Sequence, residues 1–446
     1  MDLRRRLAIL DEVAPDDEVF DRSRVGPTRP EPALRARRGR RIVAGATASV
    51  IGAAAIGLAF IALSEDRMGA VPANGRIVII APDAAAVLQL FTTDGDGDAD
   101  ATQLTQAEGD VVQAEWAADG SAIAYVVAAG PELADVHVMR ADGSDDRVAC
   151  RECAQVESVQ GGEGPARHVP SREATAIFVA PNGAFVRVAV SYGDILIHDS
   201  RDPDDPIVVE RPLFGVDDHG FTWSRDGQQL AFSSKFPGAA GLKRQPQLDG
   251  IYVVDADGSD LRQVTHPPGP PYTFGPDSQP AWSPDGTQIA FTRYVAEFEP
   301  GSHLESPGRS DIWIADLESG EERQLTTAPL PVGTYGSTAP DWSPVGGEIA
   351  FLTDADGSPE DTGIGETDVS VIRADGTELR LLFSCLDDAS YDRCPFAVDW
   401  SPDGRSLTYH GPSGTGPFVL TVEGSDPRLL TKLDDACCVR WQPTPA

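Results

Sequence analysis

The sequence has few positive charges for its size, and it lacks the short motifs that mark common catalytic sites. It holds 36 Lys and Arg against 70 Asp and Glu in 446 residues, a formal net charge of −34. Nonspecific nucleic-acid binding is disfavoured, because a phosphate backbone needs a basic patch. HExxH, GxSxG, P-loop and GxGxxG patterns are all absent. The seven His are scattered singly, so catalysis is poorly supported and enzymatic activity is not expected.

One uncharged run divides the chain. Residues 42–63 carry no charge, and five Arg fall within residues 35–41 just before them. As a helix these 22 residues span about 33 Å, enough for a hydrocarbon core of about 30 Å. By the positive-inside rule, the N-terminus lies in the cytoplasm and the acidic bulk outside. We therefore expect a single-pass signal anchor at 42–63; a cleaved signal peptide and a buried soluble helix are the alternatives.

The segment before this run, residues 1–41, predicts a basic, disordered cytoplasmic tail. Residues 1–63 contain neither His nor Cys, which disfavours an anti-sigma factor with a zinc-binding domain. The tail is either a solvated segment or a docking peptide for a cytoplasmic regulator. Residues 64–75 form the expected linker to an ectodomain of residues 76–446.

The ectodomain repeats one pattern. Trp-Ser-Pro-Asp-Gly at Trp282 runs into the apolar segment Ile289–Phe291, and each full copy adds two more alternating runs with Asp-Gly or Ser-Gly turns. The copies start at Trp116, Phe178 (degenerate), Trp223, Trp282, Trp342, Trp400 and Trp441 (a bare strand). Four short alternating runs joined by tight turns predict a four-stranded antiparallel sheet. Repetition of such a sheet indicates an all-β fold, a β-propeller.

These motifs resemble the repeat of the TolB-like propeller family: Trp-Ser-Pro-Asp-Gly, an Ile-Ala-Phe strand, and an Arg-Gln-Leu-Thr strand as at 323–326. The resemblance covers roughly residues 75–446 and implies a fold rather than an activity. The family's bacterial TolB carries an extra N-terminal α/β domain and is exported as a soluble protein. We expect this chain to lack that domain and to be anchored, so a Tol–Pal role does not carry over.

The number of blades follows from the first strands. Residues 75–105 supply three strands with no first strand before them, whereas the strand at Trp441 has no successors. We expect the Trp441 strand to complete the N-terminal blade, which would remove exposed sheet edges. Seven blades are predicted; six or eight are the alternatives if residues 150–215 are misread. The repeated Trp is assigned to packing between blades.

Loop lengths distinguish two faces. The first-to-second and third-to-fourth turns are short and Gly-rich and share one face, the short-turn face; the longer connections 235–249, 294–310, 354–368 and 384–396 share the other, the long-loop face. Long loops on a rigid scaffold usually carry binding. The candidate binding residues on the long-loop face are Arg244, Tyr294, Glu297, His303, Glu360, Asp361 and Tyr391. Because the linker reaches at most about 40 Å, we expect the short-turn face to look at the membrane.

All six Cys fall in the ectodomain, in segments expected to join fourth to first strands. An even number outside the membrane favours disulfides over a redox CxxC or a zinc site. Local pairs Cys150–Cys153 and Cys385–Cys394 are expected, with Cys437 and Cys438 bridged to each other or crosswise to the 385/394 set.

One acidic turn could hold a cation. Asp94, Asp96, Asp98 and Asp100 alternate, which suits Ca²⁺. The twelfth position of that segment is Thr105 rather than a bidentate Glu, and the segment also aligns with ordinary hairpin turns. No other cofactor is expected.

The sequence favours a membrane-anchored, extracytoplasmic propeller that acts as an interaction module for an envelope protein or a cell-wall polymer. One alternative is an envelope sensor that signals through the helix to its tail. Another is a hydrolase or lyase that works in the propeller pocket on sugar or peptide. Oligomeric state is left open.

Overall fold

The structure is a computed structural model that describes residues 75–94, 101–130, 133–159, 167–170, 175–191, 195–209, 217–235, 249–267, 277–295, 309–326, 336–354, 367–385, 394–395, 397–411, 417–424, 426–430, 433 and 436–443. These residues form 29 strands and one short 3-10 turn, Pro181–Gly183. They all belong to one compact unit, Met68–Ala446. The predicted tail and anchor, residues 1–63, lie outside the described residues. Within the described part of the chain, no helix is long and apolar enough to cross a bilayer.

The strands group into seven sheets along the chain. The first three sheets use β1 (Arg76–Pro82), β2 (Leu88–Asp94), β3 (Thr102–Gln103), β4 (Val111–Trp116), β5 (Ala122–Ala128), β6 (Leu133–Arg140), β7 (Arg147–Val159), β8 (Arg167–Pro170), β9 (Thr175–Val179), β10 (Val186–Ser191), β11 (Ile195–Asp199) and β12 (Asp202–Val209). The next two use β13 (Asp217–Trp223), β14 (Gln229–Lys235), β15 (Gly250–Asp255), β16 (Arg262–Gln263), β17 (Ser278–Trp282), β18 (Gln288–Val295), β19 (Arg309–Asp316) and β20 (Glu322–Gln324). The last two use β21 (Ser337–Trp342), β22 (Glu348–Asp354), β23 (Thr367–Arg373), β24 (Arg380–Phe383), β25 (Val398–Trp400), β26 (Ser406–His410), β27 (Pro417–Thr421) and β28 (Arg428–Leu429), and β29 (Cys437–Trp441) ends the series.

Each sheet is one blade, and the seven-bladed prediction is confirmed. Blade 1 has the order β29-β1-β2-β3; blades 3 to 7 are β9–β12, β13–β16, β17–β20, β21–β24 and β25–β28. Blade 2 has five strands, β4 to β8, because the long strand β7 pairs with β6 in its first part and with β8 in its second. The fifth strand was not expected from the sequence.

The ring closes as predicted. The closing strand β29 runs antiparallel to β1, with Trp441 opposite Ile77 and Arg440 opposite Val78. The backbone N–H of Gln442 donates to the Arg76 carbonyl at 2.7 Å, and the Gln442 side chain accepts from the Arg76 N–H at 3.0 Å. One blade thus combines the two ends of the described chain.

The Trp-Ser-Pro-Asp-Gly motif builds the turn between first and second strands. In blade 5, the Ser283 hydroxyl donates to Asp285 at 2.6 Å and accepts from the Gln288 N–H at 2.9 Å, while the Gly286 N–H donates to the Ser283 carbonyl. Gly286 has φ +71°, a left-handed conformation that glycine adopts without cost. Ser224 and Ser401 make the same contacts in blades 4 and 7.

The Arg-Gln-Leu-Thr motif fastens the outer strand. The Thr326 hydroxyl accepts from the backbone N–H of Ile312 at 2.9 Å, and the Gln324 amide donates to the Thr326 carbonyl at 2.8 Å. Thr265 and Thr105 do the same in blades 4 and 1. These hydrogen bonds replace a strand ladder where β20, β16 and β3 are only two or three residues long.

The core lies between adjacent blades. Ala231, Val253 and Ile251 of blade 4 pack with Trp282 and Phe291 of blade 5. Each of the other six pairs of neighbouring blades also shares an apolar cluster of described residues. The described Trp of the repeats are 4–9% exposed, which confirms their assignment to packing between blades.

Candidate functional site

A depression of about 950 Å³ opens on the short-turn face. Turns of four successive blades line it: Ala118 and Asp119 of blade 2, Pro181 of blade 3, residues 224–226 and 228–229 of blade 4, and residues 284–286 of blade 5. These blades repeat the same first-to-second turn, so the turn residues of neighbouring blades lie side by side on this face.

Acidic side chains dominate the lining. Six Asp and three Arg contribute to it: Asp119, Asp199, Asp226, Asp255, Asp257 and Asp285, with Arg187, Arg201 and Arg225. Hydrogen bonds from Ser259 and Ser283 hold the pKa values of Asp257 and Asp285, respectively, below the usual range of Asp. Both carboxylates therefore remain ionised at neutral pH.

Two of the three Arg share one carboxylate of blade 3, Asp199. Arg187 lies 3.3 Å from Asp199, and Arg201 donates to the same carboxylate at 2.8 Å through Nε. Both guanidinium groups also contact the Phe185 ring, with centroid distances of 5.0 and 3.9 Å. Burial opposes ionisation of Asp199, but the bonds from Arg201 and Arg187 hold its pKa below the usual range. With six Asp against three Arg in the lining, the depression keeps a surplus of negative charge.

A second charged group lies on the inner strands, which surround the central axis of a propeller. In four consecutive blades the residue before the repeat Trp is charged: Asp341 in blade 6, Asp399 in blade 7, Arg440 in blade 1 and Glu115 in blade 2. Arg440 Nε lies 3.2 Å from Glu115 Oε2. We call these four residues the inner arc. The other three blades place Ile177, Thr222 and Ala281 at this position.

Burial controls the protonation of the inner arc. Desolvation, reinforced by the negative charge of Asp399, raises the pKa of Asp341 to about 8. Desolvation also raises the pKa values of Asp399 and Glu115 in spite of attraction to Arg440. The side chains of Glu115 and Arg440 are nevertheless 36% and 35% exposed, so solvent reaches the arc. The arrangement can hold a proton near neutral pH.

The structure describes few of the predicted binding residues. Tyr294 lies near the end of β18, partly buried, and desolvation raises the pKa of its hydroxyl. The other six, Arg244, Glu297, His303, Glu360, Asp361 and Tyr391, lie outside the described residues. The long-loop binding surface therefore stays a prediction.

The predicted calcium turn is described only at its start. Asp94 ends β2, while Asp96, Asp98 and Asp100 lie outside the described residues. Among the residues that are described, no group of three or more His, Cys, Asp or Glu could hold a metal ion.

Two disulfides are present where local pairs were predicted. Cys150 pairs with Cys153 and Cys385 with Cys394. The prediction that all six Cys lie in loops was wrong, because β7 extends over 13 residues and includes Cys150 and Cys153. Cys437 and Cys438 lie on β29. Their pairing stays a prediction, since the Cys437 side chain is outside the described part.

The depression and the inner arc were both missed from the sequence. The depression consists of turn residues that look purely structural, because each Asp is needed for its own turn. The inner arc had a readable signal: aligning the repeats on Trp places Glu115, Asp341, Asp399 and Arg440 in one column.

No family model matches the chain. A stretch of 145 residues is 28% identical to the uncharacterized peptidase YuxL of Bacillus subtilis, covering 32% of this chain and 18% of that protein. A stretch of 127 residues is 28% identical to the Tol-Pal system protein TolB of Alcanivorax borkumensis, covering 28% of this chain and 24% of that protein. The chain therefore matches less than a quarter of either relative.

Among solved structures, the chain is similar to an oligogalacturonate lyase in complex with manganese, with a TM-score of 0.50 and 14% identity over 77% of this chain and 85% of that one. At this identity the likeness concerns the fold alone. The seven blades and the TolB relative confirm the TolB-like propeller that the repeats predict.

Proposed function

We propose that the chain is a single-pass membrane protein whose TolB-like propeller lies outside the cytoplasm and binds a cationic segment of another envelope protein. The observation that carries this proposal is the acidic depression on the short-turn face. Its volume of about 950 Å³ is at the upper end of small-molecule pockets and suits several side chains of a peptide.

Charge favours a basic partner. Asp226, Asp257 and Asp285 are exposed at the depression, and their partners in the turns are neutral Ser, Thr and backbone groups. Arg187 and Arg201 both pair with Asp199, and the six Asp of the lining still outnumber its three Arg. Complementary charge speeds association and suppresses like-charged competitors.

A charge-removing variant tests the proposal. Asp226→Asn, Asp257→Asn and Asp285→Asn together remove three charges and keep the side-chain oxygen that accepts the turn hydrogen bonds. The probe is a labelled Lys/Arg-rich dodecapeptide, and its acidic counterpart is the negative control. Three lost charges of about 0.5 kcal/mol each predict binding weakened about tenfold in the full-length protein in detergent.

The matched control removes three charges from the same kind of turn elsewhere on the ring. Asp142, Asp375 and Asp403 accept the same hydrogen bonds but do not line the depression. Asp142→Asn, Asp375→Asn and Asp403→Asn together should leave affinity unchanged. Equal loss in both variants would mean that only net charge matters, and no binding by the wild type would reject the proposal.

Site-specific cross-linking separates the two faces. A photoreactive residue at Arg225, on the short-turn face, should capture the basic peptide, whereas one at Tyr294, near the long loops, should not. Capture only at Tyr294 would place binding on the long-loop face instead.

The orientation has its own test. In intact cells an impermeant reagent should label a Cys introduced at exposed Ser319, while a Cys introduced at Ser23 should react only after lysis. Labelling of position 23 in intact cells would contradict a cytoplasmic tail.

A further inference from the structure

The closing strand β29 is held by side chains from three blades. The Trp116 indole of blade 2 donates to the Arg440 carbonyl at 3.2 Å, and Gln442 donates to the Gly120 carbonyl at 2.7 Å. On the other side, the Trp441 indole donates to Thr408 of blade 7 at 3.1 Å. The register of β29 with β1 covers only Ile77, Val78 and Ile80 and shifts between the last two, so these side-chain contacts matter for closure.

The inner arc belongs to this set of contacts. Arg440 pairs with Glu115 on one side and is attracted to Asp399 on the other, while Asp399 Oδ2 accepts from the Trp441 N–H at 3.4 Å. Asp341 holds the equivalent position in the neighbouring blade 6, and the negative charge of Asp399 acts on it. The charged and titratable groups that face one another here are the four residues of the arc and Cys438 of β29.

We propose that the inner arc is a proton-linked latch on β29, in which a proton held by the Asp341–Asp399 pair keeps the closing strand seated and loss of that proton loosens it. The latch is independent of the proposed binding function.

The charge balance explains the latch. With one proton on the pair, two carboxylates face one guanidinium. Without it, three carboxylates share the single Arg440, and the negative charges of Asp341 and Asp399 repel each other. Repulsion then acts on the carboxylate that accepts from Trp441.

The pH dependence of ring closure follows from the pKa of Asp341. The pKa of Asp341 is about 8 in the closed ring against a reference value of 3.8. The closed form therefore binds the proton more tightly than an opened form. Between pH 3.8 and about 8 the proton favours closure, and this contribution to closure is lost as pH rises through about 8. Release of β29 would bare the inner edge of β1, a strand edge able to pair with another chain.

Hydrogen exchange at pH 6 and pH 9 tests the latch in the full-length protein, after correction for intrinsic exchange. With a pKa of about 8 in the closed ring and 3.8 as the reference value, protection of amides in β29 and β1 should fall about a hundredfold between pH 6 and pH 9, about tenfold for each pH unit up to 8. Amides of β18 and β19 in blade 5 should keep their protection. Equal changes in all four strands would overturn the proposal.

Substitutions test whether the pH-dependent loss of protection depends on the inner arc. Asp341→Asn should abolish the extra loss of protection in β29 and β1, whereas Asp375→Asn, an exposed Asp of the same blade, should keep it. An Asp341→Asn protein with the wild-type pH dependence contradicts the latch.

An infrared measurement covers the case in which Asp341→Asn does not fold. The wild-type difference spectrum between pH 6 and pH 9 should show loss of one protonated carboxyl band. If no such band is lost, the proposal is rejected without any variant.

Discussion

At the scale of single residues, the repeated Trp does more than fill space. The indoles of Trp116, Trp282 and Trp400 each donate to the carbonyl of the residue that precedes the repeat Trp of the neighbouring blade. Trp342 is 8% exposed and has no hydrogen-bond partner for its indole among the described residues. The same residue type therefore fastens some blade boundaries with a hydrogen bond and others by packing alone.

Two Trp→Phe substitutions separate these contributions. Trp282→Phe loses the 3.1 Å bond to the Thr222 carbonyl and leaves that carbonyl without it, whereas Trp342→Phe loses ring area and removes an N–H that has no partner among the described residues. Trp282→Phe should lower the free energy of unfolding by about 1 kcal/mol more than Trp342→Phe. Urea titrations followed by circular dichroism measure the difference. Equal losses would show that the indole bond contributes nothing net.

The motif Gly offers a second matched pair. Gly286 has φ +71° and open space around a Cβ, while Gly227 has φ +65° and a Cβ would lie 2.4 Å from the Phe178 ring. Gly286→Ala should cost about 1–2 kcal/mol for the left-handed backbone alone. Gly227→Ala should cost about 1–3 kcal/mol more, because the ring must move. Thermal and urea unfolding of both variants provide the comparison, and a less stable Gly286→Ala would contradict it.

At the scale of elements, periodicity was enough to predict the strands that repeat. The copy at Trp282 carries a strand pattern, a turn and an outer strand, and each is present. Blade 2 shows where the pattern fails. Its fifth strand, β8, pairs with a continuation of β7 that has no counterpart in other blades, so repetition carried no information about it. The inner arc differs, because alignment of the repeats on Trp places its four residues in one column of the sequence, although only ring closure brings Arg440 beside Glu115.

The closing strand gives a prediction at this scale. A chain ending at residue 435 lacks β29 and should leave β1 unpaired on its inner edge, with the contacts to Trp116 and Thr408 lost. We expect loss of cooperative unfolding and aggregation through the bare edge. A chain ending at residue 443 keeps β29 and is the control. Cooperative unfolding of the shorter chain in calorimetry would contradict this role.

At the scale of the whole molecule, charge is unevenly distributed. Residues 1–63 carry 11 basic and 8 acidic side chains, so the remaining chain carries 25 basic and 62 acidic ones. Self-repulsion of so acidic a ring destabilises its compact state. The charge is tolerated because many of the Asp side chains accept hydrogen bonds within turns. Such hydrogen bonds stabilise the carboxylates of Asp142, Asp257 and Asp375 and lower their pKa values.

Salt should therefore stabilise the protein. Raising NaCl from 10 to 150 mM shortens the screening length from about 30 to about 8 Å. We expect the melting temperature of the full-length protein in a nonionic detergent to rise by a few degrees. Choline chloride at equal ionic strength should act alike, since the effect is screening. A melting temperature that stays constant or falls would show that repulsion is not a significant cost.

The pairing of β29 with β1 also sets an order of events during synthesis. Six blades can assemble as their own strands leave the ribosome, but blade 1 lacks its inner strand until residue 441 has been made. For that whole interval β1 presents an unpaired edge, even though it is the first strand of the ring to be produced. A pause in translation before residue 441 would lengthen this exposure and give the bare edge more time to pair with another chain.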